Sequence, residues 1–293
     1  MALLPQELVD QIIDFLHDDH PTLQSCTLVA RAWLPSSRLH LFTNITIGVN
    51  SPRFYEFLAE FLAYTRSSCA FGPQYVREMT LTGLGAGYST ATRNPVTQAI
   101  LVDLLACLPL LEYLNLIFVT LDHGQGAEPL SSAPGAVRSS GTLKLDLKAV
   151  GVVYCDAAPD KPFSGLAACL DAFTHIGKLH LIHSRVPDNV GVAHFGDLLG
   201  RALPPVDALV IRDQASSLNT YLRALDVAPA AQCLRSLNIE SESWPGWDHA
   251  QLGASLERVG SGIRCLGIDL SAFSEPEGNS DIPTLNKHAL MRT

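Results

Sequence analysis

The side chains that could carry chemistry are few and poorly spaced for it. His180 and His183 stand in a run that alternates like a strand, so their imidazoles would point to opposite faces and could not share a metal ion. Gly83-Leu-Gly85-Ala-Gly87-Tyr88 follows another such run, but a dinucleotide loop needs its third glycine at position 88, where Tyr stands, so the segment reads as a turn. The chain has no GxSxG, no phosphate-binding GxxxxGK[ST] loop and no HExxH. Its seven cysteines, at 26, 69, 107, 155, 169, 233 and 265, form no CxxC pair, and an odd total suggests neither a zinc ribbon nor a disulfide framework. Asp10, Asp14, Asp18 and Asp19 read as a solvated acidic face. Trp244-Pro-Gly-Trp247 reads as a turn with two packing rings, or as part of a recognition pocket. No catalytic residue, no cofactor and no metal is expected.

Composition narrows the class further. The 293 residues are 47% hydrophobic and 17% charged, enough length for a real core and, on a soft prior, about two domains. A net charge of −9 without a Lys/Arg block argues against a nucleic-acid partner. The most apolar stretch, 99–121, is interrupted by Asp103, Pro109 and Glu112, which argues against a membrane span. The amino terminus is acidic within ten residues and lacks the basic start of a signal peptide, so Asn44-Ile45-Thr46 is not expected to be glycosylated. With the cysteine usage, these features point to a reducing compartment, cytoplasmic and/or nuclear.

Two kinds of element must carry whatever the chain does. Over residues 1–41, Pro5 sits at a first helical position with Glu7 in the first turn, and Leu8, Ile12 and Leu16 recur at helical spacing beside Val9 and Ile13. His17-Asp-Asp-His20-Pro21 breaks this helix. Thr22 can cap a second one through Leu23, Cys26, Leu28, Val29 and Trp33, which Pro35-Ser-Ser37 ends. A module this small needs a mate for its apolar face. In register, Leu4-Pro5, Glu7-Leu8, Ile12, Leu16, Val29 and Trp33 closely resemble the F-box motif of a protein family abundant in fungi. The resemblance implies docking to the adaptor Skp1 and, through it, to a cullin–RING ubiquitin ligase. Carried over by position, the docking residues are Leu4, Pro5, Leu8, Ile12, Leu16, Leu23, Val29 and Trp33. Anchors at i, i+4 and i+8 with an aromatic hot spot fit a helical interface. Packing against the second helix would also account for Leu8, Ile12 and Leu16, and the module's interior equally for Trp33. The loop from His17 to Thr22 is slightly longer and more acidic than in many F-boxes.

Residues 42–273 carry a repeat. An apolar-x-x-apolar-x-apolar block recurs, anchored at residues 45, 79, 114, 143, 179, 209, 237 and 266, with intervals of 34, 35, 29, 36, 30, 28 and 29; the copy at Leu143-Lys-Leu145 is partial. Each block alternates like a strand. The spacers at Arg53–Arg66, Val96–Leu108, Ser164–Ile176, Val190–Leu203, Leu218–Leu225 and Gln251–Val259 read as helices. The expected fold class is therefore α/β: a small helical module followed by strand-helix units that resemble a leucine-rich-repeat solenoid. One departure is that the Asn or Cys three positions past the second strand leucine is replaced by Leu84, Val119, Ser184, Gln214, Glu242 and Ser271. Leu121 to Gly141 is expected to be an exposed insertion, and residues 274–293 an irregular tail or the mark of a chain shorter than its relatives.

Residues flanking the strand leucines would line one sheet face: Thr80, Tyr113, Asn115, Lys144, Asp146, His180, Arg212, Asn238, Glu240 and Asp269. Tyr113, Asn115, His180, Arg212, Asn238 and Glu240 are the candidate residues for holding a protein substrate, although a solvated sheet face has the same composition. The expected function is a non-catalytic substrate-recognition adaptor of a Skp1–cullin–F-box ubiquitin ligase. The alternative is a Skp1-bound or free interaction scaffold with no ligase role.

Overall fold

A computed structural model describes residues 4–67, 72–83, 94–122, 145–153, 155–157, 164–182, 192–213, 215–241 and 249–269. It is an α/β fold in which three N-terminal helices precede a parallel eight-stranded sheet. Helix α1 (Gln6–Asp14) starts after Pro5. Helix α2 (His20–Val29) is capped by Asp19, three residues earlier than expected, because its carboxylate accepts from both the Thr22 backbone N–H (3.1 Å) and the Thr22 hydroxyl (2.7 Å). Pro35 does not end a helix. It opens α3 (Leu34–Thr43) from a first-turn position, where its missing N–H costs nothing. Helix α3 runs past residue 41 and leads directly into the first strand.

The strands of the large sheet are β1 (Asn44–Gly48), β2 (Glu78–Thr82), β4 (Tyr113–Ile117), β6 (Leu145–Val153), β8 (Phe173–Ile182), β9 (Val206–Asp213), β10 (Ser236–Ser241) and β11 (Cys265–Asp269), side by side in that order. Between them lie α4 (Phe54–Arg66), α5 (Gln98–Ala106), α6 (Ser164–Leu170), α7 (Val192–Ala202), α8 (Ala215–Val227) and α9 (His249–Val259). Short strands β3 (Val96–Thr97), β5 (Thr120–Asp122) and β7 (Asp156–Ala157) form a second parallel sheet. The repeat period is thus the distance from one strand to its neighbour. Its apolar positions align across the sheet as two rungs: Ile45, Met79, Leu114, Val150, Leu179, Leu209, Leu237 and Leu266, then Ile47, Leu81, Leu116, Val152, Leu181, Ile211, Ile239 and Ile268. From Met79 to Leu237 the first rung is buried, and the last member, Leu266, is about half exposed on the edge strand. Each fully buried rung residue contributes about 1.5–3 kcal/mol.

The fourth rung corrects the sequence reading. Leu143 lies outside the described residues, and the residue opposite Leu114 is Val150, in the block Leu147-Lys-Ala-Val150-Gly-Val152. Two other boundaries shift as well. Helix α6 ends at Leu170, because the segment from Phe173 joins β8 instead of extending the helix to Ile176. Leu121 is buried in β5 and pairs with Val96, so the expected insertion begins later than Leu121, and residues 123–144 lie outside the described residues.

Asparagine does occupy a strand-leaving turn, one repeat before those considered from sequence. Asn50 Nδ2 donates to the Gly83 carbonyl, and Asn94 Nδ2 donates to the Val49 and Ser51 carbonyls, both at 2.8 Å. Gly83 passes so close to the next strand that a Cβ there would stand 2.0 Å from the Phe118 carbonyl oxygen. Phe118 itself turns with φ 55°.

Candidate protein-interaction site

The N-terminal module has a small interior. Val9, Ile13, Leu23 and Cys26 form its buried core, with Leu16, Trp33 and Leu41 packed against them. Leu23 was expected to dock a partner, but at 0% exposure it is spent inside the module. Leu16 and Trp33 are half-buried against the same core. Leu4, Pro5, Leu8, Ile12 and Val29 are exposed, as are Phe15 (87%) and Leu28 (86%), the two most exposed large apolar side chains among the described residues. Phe15 was missed from sequence: it comes directly after the last residue of α1, and its exposure depends on where that helix stops. The module is pinned by polar contacts from α1 to α3 and to the turn ahead of it. Ser36 donates to Asp10, Gln6 donates to the Ala32 carbonyl (3.0 Å), and the His40 ring meets Asp14 at 2.8 Å. The Ser36 and Gln6 hydrogen bonds hold the Asp10 carboxyl below its ordinary range. The acidic residues therefore brace the module as well as solvating it.

The second surface is the polar face of the large sheet. Strand alternation turns the residues between the rungs to the face opposite the leucines. Thr46, Thr80, Asn115, Gly151, His180, Val210, Asn238 and Gly267 stand in its middle row. Glu78, Tyr113, Ala149 and Lys178 precede them, and Ile182, Arg212, Glu240 and Asp269 come after. The six residues singled out from sequence therefore share one face. Lys144 lies outside the described residues.

Local contacts divide that face into two ends with similar chemistry. Asn115 Nδ2 donates to Glu78 (3.1 Å), and a Cβ on Gly151 of the next strand would stand 2.7 Å from Asn115 Oδ1. Asn238 Nδ2 donates to Glu240 (2.9 Å), and a Cβ on Gly267 would stand 2.4 Å from Asn238 Oδ1. Glu240 also faces the Arg212 guanidinium at 3.9 Å, which joins three of the candidate residues. Burial holds the Glu78 carboxyl above its ordinary value, against the opposing hydrogen bond from Asn115. Between these ends stands His180. Burial, with Lys178 adding repulsion, pushes its pKa down to about 4, and its Nδ1 meets no hydrogen-bond partner among the described residues.

A rim of charge runs along the start of the strands. Glu112 pairs with Arg77 (3.4 Å) on one side and Lys148 (2.8 Å) on the other. His175 stands between Asp146 (3.0 Å) and Asp207 (3.3 Å). The partners are about 30 to 36 residues apart in the chain, and only the strand register brings them together.

Among the described residues no three His, Cys, Asp or Glu side chains are grouped to hold a metal ion, and no helix is long and apolar enough to cross a membrane. Full burial pushes the Cys169 thiol up to about 12, so it holds its proton at neutral pH. No protein-family model matches the chain, and no curated protein matches it.

Proposed function

We propose that the chain is a non-catalytic adaptor: its N-terminal helices dock Skp1 as an F-box does, and the polar sheet face holds a protein destined for ubiquitin transfer by partner enzymes. The observation that carries the reading is the division of labour in the helical module. Val9, Ile13 and Leu23 fill its interior while Leu4, Leu8, Ile12, Phe15, Leu28 and Val29 remain in solvent. Exposing that many large apolar side chains is unfavourable unless a partner covers them. The aligned rungs and the one-directional strand order support reading the remainder as a leucine-rich-repeat-like solenoid, whose open face is suited to protein recognition.

Co-expression with Skp1 tests the first half. Wild type is expected to co-purify with it and the Pro5→Ala, Leu8→Ala double variant to lose it; equal recovery of both, or of neither, removes the adaptor reading. Ubiquitylation of a bound protein that depends on residues 42–293 tests the second half, and stable Skp1 binding without such transfer would make the chain a scaffold.

A further inference from the structure

The bracket around His175 is more specific than an ordinary surface ion pair. Register between β6 and β8 slips at one point: Leu145 faces Phe173, yet Asp146 faces His175, so Thr174 is an extra residue on β8. In an unshifted register Thr174, not His175, would stand opposite Asp146. Bulges of this kind re-aim a side chain. Here the bulge aims an imidazole so that Nδ1 lies 3.0 Å from Asp146 on β6 and Nε2 lies 3.3 Å from Asp207 on β9. A carboxylate only accepts, so both contacts are hydrogen bonds only when both ring nitrogens carry protons. Just beyond the bulge, Gly177 lets β8 close on β6, since a Cβ there would stand 2.6 Å from the Lys148 carbonyl oxygen.

We propose that His175 is a proton-operated clasp across β6, β8 and β9, closed as the imidazolium and half-open as the neutral ring. The charged groups beside it on the strands packed against it are Asp146 and Lys148 on β6 and Asp207 on β9; Lys178 and His180 lie further along its own strand, and Arg212 and Asp213 stand at the far end of β9. Lys148 is engaged by Glu112 at 2.8 Å, which leaves the two aspartates to set the sign. Loss of one proton leaves one aspartate facing an acceptor lone pair and loosens the strand junction from which Lys178 and His180 project. Proton concentration would thereby tune the recognition face, independently of any partner docked on the helices.

The hydrogen bond from Asp146, with the charge of Asp207, outweighs partial burial and raises the His175 pKa above the ordinary 6.5. A raised folded value means stability that is fully present below about 6.5 and is lost as pH rises through the folded value. Histidine NMR titration of the whole chain, with His175 assigned through His175→Gln, reads this directly. His175 is expected to titrate above 6.5 in wild type and lower in Asp207→Asn. Urea midpoints are expected to fall from about pH 6 to pH 8.5 in wild type more than in His175→Gln. An imidazole that titrates at or below the free value, or that Asp207→Asn does not shift, overturns the clasp, as do midpoints falling equally in both proteins. The Asp207→Asn titration decides the matter if His175→Gln does not fold.

Discussion

Asn115 lays its carboxamide over Gly151, the facing residue of the next strand, while its Nδ2 donates to Glu78 on the strand behind. One side chain thus ties three strands on the face proposed to recognise a partner. Asn115→Ala removes the hydrogen bond that opposes burial of the Glu78 carboxyl, so the pKa of Glu78 is expected to rise further. A carboxyl whose folded pKa is raised loses stability as pH climbs through it. The cost of Asn115→Ala in urea unfolding is therefore expected to be larger at pH 7 than at pH 4; equal costs would contradict the arrangement.

Gly83 is the position where the turns leave no room. Its Cβ would meet a backbone carbonyl, Phe118 O, at 2.0 Å, and a backbone carbonyl cannot swing aside as the end of a flexible side chain can. Gly83→Ala is expected to cost about 2 kcal/mol or more in equilibrium unfolding. Gly48→Ala serves as control, because a Cβ there meets nothing within 4 Å, and is expected to leave the midpoint near that of wild type.

His180 predicts the opposite pH window from His175. Its folded pKa is depressed to about 4, so between that value and 6.5 the unfolded chain binds the extra proton, and the native state loses stability as pH falls. His180→Gln is expected to lose less stability than wild type between pH 6.5 and pH 4.5 in thermal melts. Identical slopes would mean that the imidazole is not shielded by the sheet face.

The helical module separates folding from docking. Ile13, wholly buried, is expected to cost about 2–5 kcal/mol when cut to Ala, scored by urea unfolding. Ile12, one residue away and about two-fifths exposed, is expected to cost no more than about 0.5 kcal/mol in the same assay.

Where the chain repeats one residue type at one spacing, the fold was legible before any coordinates. Seven of the eight rung anchors, from Ile45 to Leu266, announced their strands through alternation, and the helices between them through period. Val150 escaped because leucine marks the other rungs nearby, although a β-branched valine fits a pleated strand equally well. The six face residues were readable from alternation alone. Their partners were not: Glu78 under Asn115, Glu240 bridging Asn238 and Arg212, and the aspartates around His175 depend on register and, for His175, on a one-residue bulge. In the helices, Leu23 and Leu8 are the same residue type at equally helical spacing, and only tertiary packing decides which is buried and which faces out.

Whether the exposed apolar face of α1 and α2 is a Skp1-docking surface is read most directly by calorimetric titration of purified Skp1 into the full chain. Saturable binding is expected for wild type, and about 100-fold weaker binding or none for Leu8→Ser with Ile12→Ser at unchanged urea midpoint, since that loss needs only about 2.8 kcal/mol from two interface anchors. Undiminished binding by the double variant, or no binding by the wild-type chain, would contradict it.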